Sequence, residues 1–134
     1  MRRILIVGDD PRLTALAAEA VRSVGFEAHV AHDVGSAIRI ALRIRPNAIV
    51  LDIDMPDYAA LELHEYLKFS HRVRDAAFLY LSNEDTLQRR ASALRRGAKA
   101  FLAKPAKPEE FSSLMRETMS SGALNPSNAL AVAS

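Results

Sequence analysis

The 134-residue chain contains no cysteine, and this absence excludes both a disulfide framework and a thiolate metal site. It also lacks a long hydrophobic run, since no apolar segment approaches the roughly 20 residues needed to cross a bilayer. The chain does not open on a signal-peptide pattern, because only residues 4–7 are apolar before an acidic stretch begins. We therefore expect a cytoplasmic domain without membrane association.

An excess of charge of one sign is also missing, because 18 basic residues are balanced by 16 acidic ones. Several arginines do lie close together in the sequence, namely Arg72 with Arg74, Arg89 with Arg90, and Arg95 with Arg96. A nucleic-acid surface is conceivable there, but no aromatic residues are interleaved and no helix-turn-helix pattern follows. A solvated helix face is the favoured interpretation, and we expect no direct contact with nucleic acid.

The histidines do not form a metal-like grouping. The chain has four of them, His29, His32, His64 and His71, and their spacing is not that of metal ligands. We expect all four to lie at the surface or in loops.

What the chain does contain is a regular alternation of short apolar runs and amphipathic segments. The apolar runs predict buried strands at residues 3–7, 26–31, 48–52, 76–81 and 99–103. Helices are predicted to follow them, beginning near Pro11, Asp33, Asp57, Ser82 and Pro108. In the fourth helix, Leu87, Ala91 and Leu94 are expected to face inward. This order predicts an α/β fold with a five-stranded parallel, doubly wound sheet and five helices.

Polar side chains follow four of the five predicted strands. The carboxyl ends of parallel strands share one edge of the sheet, where ligands bind in such folds. We therefore expect carboxylates, a hydroxyl and an ammonium group to converge there, from Asp9, Asp10, Asp52, Asp54, Ser82 and Lys104.

Clustered carboxylates require a cation. Two of them about 4 Å apart repel by roughly 1 kcal/mol in water and roughly 4 kcal/mol at an effective dielectric of 20. Oxygen ligands without histidine or cysteine favour a hard ion such as Mg²⁺. A hard divalent ion beside a carboxylate, a hydroxyl and a lysine suits phosphoryl transfer, and the carboxylate can itself be the nucleophile.

The residues that carry this pattern resemble the receiver domain of response regulators in two-component signalling, over about residues 3–120. The segment VLDIDMP, residues 50–56, matches the phosphoacceptor strand of that family, and GAKAFLAKP, residues 97–105, matches its Lys-Pro strand. Ser82 follows Asp52 by 30 residues and Lys104 follows it by 52, and both spacings are typical of the family. The resemblance implies a flavodoxin-like strand order 2-1-3-4-5.

The resemblance also implies a role for each site residue. Asp52 would accept the phosphoryl group, and Mg²⁺ or Mn²⁺ would be bound by Asp9, by Asp52 and by the backbone carbonyl of Asp54. Ser82 would be the switch hydroxyl and Lys104 the phosphate contact, with a cis peptide bond between Lys104 and Pro105. Two residues complete the set, Phe101 as the rotameric aromatic switch and Asp10 as an acid that need not face the site.

The family further implies what the chain would interact with. A histidine kinase or a phosphotransferase would donate the phosphoryl group, and a downstream protein would bind the face of the fourth helix, fifth strand and fifth helix. Such a domain is not a classical enzyme, although slow self-dephosphorylation is expected. We expect a receiver domain over residues 1–120, a flexible tail over residues 121–134, and a monomer or weak dimer. Because 134 residues leave no room for an output domain, the chain would act through a partner or be part of a longer protein.

Three positions depart from the family pattern. Gly8 replaces the first of two adjacent acids, Ala60 replaces a common glycine, and Asn83 replaces a small residue beside the switch hydroxyl. The lost acid should weaken Mg²⁺ binding. We hypothesise that the side chain of Asp54 restores the missing charge.

Other interpretations of these residues stay open at this point. Asp9, Asp10 and Ser82 are also typical helix caps, Asp54 could be a turn residue, Lys104 a surface lysine and Phe101 a core aromatic. A phosphorylation-independent pseudo-receiver would have the same fold. A phosphatase resembling the haloacid dehalogenases is disfavoured. That family has its D-x-D motif after the first strand, whereas Asp52-Ile53-Asp54 follows the third predicted strand of this chain.

Overall fold

The sheet has the predicted parallel order. In the computed structural model, which describes residues 2–104 and 106–121, the strands run β2-β1-β3-β4-β5 and every neighbouring pair is parallel. Their bounds are β1 Arg3–Val7, β2 Glu27–Ala31, β3 Ala48–Asp52, β4 Ala77–Ser82 and β5 Ala100–Ala103. The predicted strands are confirmed, with ends that differ by one residue at most.

Five α-helices connect or follow the strands: α1 Pro11–Ser23, α2 Val34–Ile44, α3 Ala59–Leu67, α4 Leu87–Arg96 and α5 Pro108–Ser121. Side-chain caps fix where three of them begin. Asp10 accepts a hydrogen bond from the Arg12 backbone, Asp33 accepts one from the Ser36 backbone, and Thr86 accepts one from the Arg89 backbone. These caps satisfy backbone N–H groups that have no partner within the helix.

The sheet separates two apolar layers, because successive strand residues point to opposite faces. Leu5, Ile49 and Phe78 belong to the layer that contains the buried residues of α2, α3 and α4. Ile4, Val50 and Leu79, each one residue away in its strand, belong to the layer formed with α1 and α5. Both faces of the sheet are therefore covered, as continuous apolar strands require.

The third helix begins later than predicted. A tight turn, Pro56–Tyr58, precedes α3, and both Asp57 and Tyr58 have left-handed backbone angles, with φ of 60° and 58°. Such residues cannot be part of a right-handed helix. The chain therefore needs this turn before α3 can start at Ala59.

The fourth helix packs differently from the prediction. Leu87 and Leu94, expected to face inward, are 73% and 49% exposed. The buried residue of α4 is Ala93, and Ala91 is partly buried. Small side chains, and not the leucines, mark the face of α4 that packs against the rest of the domain.

The prediction that all histidines lie at the surface or in loops is wrong for His64. This residue of α3 is only 2% exposed, and its ring stacks on Phe78 at 3.9 Å between ring centres. Its Nδ1 atom lies 2.6 Å from the hydroxyl of the buried Tyr80. The imidazole and the hydroxyl are therefore hydrogen-bonded to each other inside the core, and buried polar atoms require such partners.

Two predictions concern residues outside the described part. The Lys104–Pro105 peptide cannot be described, and neither can residues 122–134 of the predicted tail; Ser121 is the last residue of α5. Within the described residues, no helix has the length and apolar character of a membrane-spanning segment.

Candidate functional site

Two site residues are the last residues of neighbouring central strands. Asp52 ends β3 and Ser82 ends β4, and Asp52 pairs with Leu81 in the register of the two strands. Both side chains are buried. Lys104 follows β5, and its backbone N–H donates to the carbonyl of Ser82 at 2.8 Å. The parallel sheet therefore brings carboxylate, hydroxyl and ammonium groups to one edge, as the sequence predicted.

Only one of the two carboxylate oxygens of Asp52 accepts hydrogen bonds from the described residues. Its Oδ1 atom accepts hydrogen bonds from the Lys104 ammonium at 2.9 Å and from the Asp54 backbone N–H at 3.0 Å. Its Oδ2 atom accepts none from the described residues. A Cβ atom added to Gly8 would lie 3.8 Å from this Oδ2. Asp52 thus has a fixed oxygen and an uncommitted oxygen, and the uncommitted one is beside Gly8.

The Asp54 carboxylate has the most partners in the site. Its Oδ1 accepts from the Ser82 hydroxyl at 3.0 Å, and its Oδ2 accepts from the Asn83 backbone N–H at 2.6 Å and lies 3.0 Å from the Lys104 ammonium. The Arg89 guanidinium is 4.0 Å away. Burial opposes ionisation of Asp54, but the hydrogen bonds from Asn83, Lys104 and Ser82 outweigh it and lower its pKa.

Lys104 connects the two carboxylates. Burial disfavours its charged form, but hydrogen bonds to Asp52 and Asp54 outweigh burial and raise its pKa. The ammonium therefore stays charged at neutral pH, and its side chain is only 12% exposed. The interpretation of Lys104 as a surface lysine is excluded by these contacts.

The acids after β1 separate into two roles. Asp10 is the N-cap of α1, which confirms the helix-cap interpretation for this residue. Asp9 is exposed in the turn before α1 and forms no hydrogen bond or ion pair with the described residues. Its carboxylate is therefore uncommitted, like Oδ2 of Asp52.

The predicted metal ligands at this edge are all oxygen atoms. Asp9 and Asp52 each have a carboxylate oxygen without a partner among the described residues, and with the backbone carbonyl of Asp54 they would offer the kind of oxygen donors that Mg²⁺ prefers. No group of three acidic or histidine side chains arranged for a metal occurs among residues 2–104 and 106–121. A metal would thus depend on two carboxylates and a carbonyl, while the Asp54 carboxylate has other partners.

Phe101 occupies the core beside the site. It is 2% exposed in β5, where it pairs with Tyr80, and the Arg90 guanidinium lies 5.1 Å from its ring centre. Arg90 is in turn held by both carboxylate oxygens of Asp85. Sequence reasoning missed that Arg90 lies over the Phe101 ring, although Asp85 and Arg90 flank the first turn of α4.

Sequence reasoning also missed the Asn83 backbone N–H as a donor. A backbone group has no sequence signal of its own, and only its position directly after Ser82 pointed to it. Ser82, proposed above as an alternative helix cap, accepts from the Glu84 backbone at 3.1 Å, but Thr86 caps α4.

Comparison with known proteins decides the family. The family model described as the response regulator receiver domain matches residues 4–116. The chain belongs to this family. Receiver domains are signalling domains and not classical enzymes, and this one is a receiver domain of the two-component response regulators.

Two mycobacterial regulators are similar in sequence to this receiver domain. The transcriptional regulatory protein TrcR of Mycobacterium tuberculosis is 34% identical over 118 residues, covering 85% of this chain and 44% of TrcR. The transcriptional regulatory protein PrrA of Mycobacterium leprae is 35% identical over 103 residues, covering 77% of this chain and 43% of PrrA. The chain therefore spans less than half the length of these relatives.

Solved structures share the fold of this receiver domain. The chemotaxis response regulator CheY4 of Vibrio cholerae superposes with a TM-score of 0.79 at 22% identity, over 87% of this chain and 97% of CheY4. A CheY-like receiver domain protein of Methanospirillum hungatei gives 0.77 at 24% identity, over 88% and 93% of the two chains. The flavodoxin-like order 2-1-3-4-5, implied by the family resemblance, is thus confirmed.

Proposed function

We propose that this receiver domain accepts a phosphoryl group on Asp52 from a histidine kinase or a phosphotransferase. The observation that supports it best is the state of Asp52, a buried carboxylate with one oxygen fixed by Lys104 and the other uncommitted. An oriented carboxylate with a free oxygen is suited to nucleophilic attack.

The transfer would be a displacement at phosphorus. A carboxylate oxygen of Asp52 forms the new bond to phosphorus while the phosphorus–nitrogen bond of the donor histidine breaks. The electron pair leaves with the imidazole, which takes up a proton. Lys104 is positioned to balance charge on the phosphoryl oxygens, and Ser82 to donate a hydrogen bond to one of them.

Asp9, Asp52 and the carbonyl of Asp54 are the residues that would hold Mg²⁺ or Mn²⁺. A bound divalent ion would supply charge neutralisation for the transferring phosphoryl group. The role of this chain's residues is to place two carboxylates beside that ion, with Lys104 on the other side of Asp52.

The consequence of phosphorylation would be a shift in the population of a partner-binding surface. We propose the face of α4, β5 and α5 as that surface, because only residues 83–86 separate Ser82 from α4 and because Phe101 lies in β5 under Arg90. We further propose that residues 1–120 act as the signalling unit, in the cytoplasm, as a monomer or weak dimer with a protein partner.

Intact-protein mass spectrometry after incubation with Mg²⁺ and acetyl phosphate tests the proposal. We expect the mass of one added phosphoryl group on the native chain and none on Asp52→Asn, which keeps the side-chain size. Equal labelling of both proteins would show that another residue is modified.

A phosphorylation-independent pseudo-receiver is the second candidate function. Gly8 in place of an acid and the engagement of Ser82 and Lys104 by Asp54 favour it. No mass gain on the native chain, together with the folded state of the protein, would favour this candidate over phosphorylation.

A further inference from the structure

Three hydrogen-bond donors at the site point to one place, and a side chain of the protein already fills it. The hydroxyl of Ser82, the backbone N–H of Asn83 and the ammonium of Lys104 all contact the carboxylate of Asp54, at 3.0, 2.6 and 3.0 Å. A hydroxyl, a backbone N–H and an ammonium group together form the kind of site that binds phosphoryl oxygens. Here they surround a carboxylate.

The same donors lie directly beside the proposed phosphoacceptor. The Lys104 ammonium is 2.9 Å from Oδ1 of Asp52 while it also contacts Asp54. A phosphoryl group on Asp52 would therefore have to share Lys104 with a second anion, or replace that anion. Two anions competing for the same donors in a partly buried site repel each other more strongly than they would in water.

We propose that the Asp54 carboxylate is an internal anion that occupies the phosphoryl contacts of Ser82, Asn83 and Lys104, and that phosphorylation of Asp52 displaces it. This inference rests on the proposed function. It makes Asp54 a positioning residue that slows phosphorylation and that holds Ser82 engaged before any phosphoryl group arrives.

The structure provides a place for the displaced side chain. An open groove of about 920 Å³ lies beside Asp54, lined by Asn83, Arg89 and residues of the loop before α3. The guanidinium of Arg89 is already 4.0 Å from Asp54. A carboxylate that turns into this groove keeps a cationic neighbour, so that leaving Lys104 does not leave its charge without a partner.

The first test does not involve phosphorylation. An amide proton that is strongly hydrogen-bonded to a carboxylate has a characteristic downfield NMR resonance, and Asn83 should show one in the unphosphorylated protein. We expect Asp54→Ala to move this resonance upfield. The matched control is Glu62→Gln, which removes a negative charge from an exposed position of α3 outside the groove. An Asn83 resonance unchanged by Asp54→Ala would overturn the proposed occupancy.

The second test measures the rate of mass gain with Mg²⁺ and acetyl phosphate. A charge-assisted hydrogen bond is worth enough to change a rate about tenfold or more. We therefore expect Asp54→Ala to be phosphorylated about tenfold faster than the native chain, with Glu62→Gln at the native rate. Asp54→Asn, which keeps the size but not the charge, should also be faster.

The outcomes separate this inference from the proposed function. If the native chain is phosphorylated and Asp54→Ala is no faster, the displacement is wrong and the proposed function stands. If neither protein is ever phosphorylated, the proposed function fails, and the displacement fails with it.

Mg²⁺ affinity distinguishes the two roles considered for Asp54. If its carboxylate fills the phosphoryl contacts, Asp54→Ala should bind Mg²⁺ within about twofold of the native chain, since it removes no side-chain ligand. Clearly weaker binding would instead support the hypothesis that Asp54 replaces the acid missing at Gly8.

Discussion

Gly8 lies beside the uncommitted oxygen of Asp52, and a side chain added there would press on Thr14. A Cβ atom built on Gly8 would lie 3.4 Å from Cβ of Asp52 and 3.1 Å from a methyl group of Thr14. We predict that Gly8→Asp binds Mg²⁺ about tenfold more tightly, because it adds a carboxylate to the predicted donor set. Calorimetric titration with Mg²⁺ measures this affinity.

Gly8→Ala is the control for that change, because it introduces the same contact with Thr14 without the charge. It should bind Mg²⁺ like the native chain and be slightly less stable. Equal affinity of Gly8→Asp and Gly8→Ala would show that position 8 does not reach the ion.

His64 predicts a loss of stability in mild acid. Burial lowers its pKa from 6.5 to about 4, so that the unfolded chain binds a proton between those values and the folded chain does not. Protonation therefore favours unfolding as the pH falls from 6.5 towards 4. At pH 5 this group alone should cost about 2 kcal/mol relative to pH 7.5. Urea unfolding at the two pH values measures the difference.

Replacement of His64 by glutamine should reduce that pH dependence, because glutamine does not titrate. The exposed His71 offers the matched control, and His71→Gln should leave the pH dependence as it is in the native chain. A native-like pH profile in His64→Gln would assign the acid sensitivity to other groups.

The burial of His64 could have been predicted from its spacing. Ala60, Leu63, His64 and Leu67 are the buried residues of α3, and their positions follow the repeat of one helix face. Residue type alone suggested that His64 lies at the surface. The partner that makes burial acceptable, the hydroxyl of Tyr80, lies in β4, and no local pattern reveals such a pairing.

At the scale of the element, α4 depends on a cap that the sequence analysis did not identify. The prediction placed its start at the polar run from Ser82 to Asp85, but the hydroxyl of Thr86 accepts from the Arg89 backbone and fixes the start at Leu87. Several polar residues in succession are all competent caps. Ser82 and Asp85 are engaged elsewhere, with Asp54 and Arg90, and only the tertiary structure determines this.

We predict that Thr86→Ala lowers the free energy of unfolding by about 1 kcal/mol, which is the usual cost of removing a helix cap. Urea denaturation measures the change. Ser92→Ala lies in the interior of the same helix and is the control, because alanine is favoured there. A similar loss in both variants would mean that the cap is not the cause.

Strand positions were predicted better than helix faces, and the reason lies in the elements themselves. A strand buried on both sides shows as a continuous apolar run, such as Ile49-Val50-Leu51, and needs no choice of face. In α4 the larger residues Leu87 and Leu94 indicated the wrong face, because Ala93 allows the helix to approach the core closely.

At the scale of the whole molecule, the apolar core and the predicted metal site consist of different residues. The two apolar layers include neither Asp9 nor Asp52. We predict that EDTA abolishes phosphoryl uptake from acetyl phosphate and leaves the far-ultraviolet circular dichroism spectrum unchanged. When the Mg²⁺ concentration equals the dissociation constant, the free energy of unfolding should differ by less than about 0.5 kcal/mol from that of the metal-free protein.

Restoring Mg²⁺ should restore phosphoryl uptake in the native chain and not in Asp52→Asn. Unfolding upon addition of EDTA would contradict the prediction, because the ion would then be part of the structural core.

The convergence of the site could be predicted from the sequence because it follows from topology. Parallel strands place Asp52, Ser82 and the residue after β5 at one edge regardless of the side chains between them. The direction of a side chain does not follow from topology. The sequence therefore predicted that Asp54 lies at this edge, but not that its carboxylate would meet Ser82 and Lys104.

The hydrogen bond from the backbone of Lys104 to the carbonyl of Ser82 ties the ends of β4 and β5 together. This bond and the parallel pairing of β4 with β5 hold the two strand ends in register. Residues 83–86, which connect Ser82 to α4, have no equivalent backbone hydrogen bond to the sheet among the described residues. If the Ser82 hydroxyl changed its acceptor, we would therefore expect the segment leading into α4 to move more than β5.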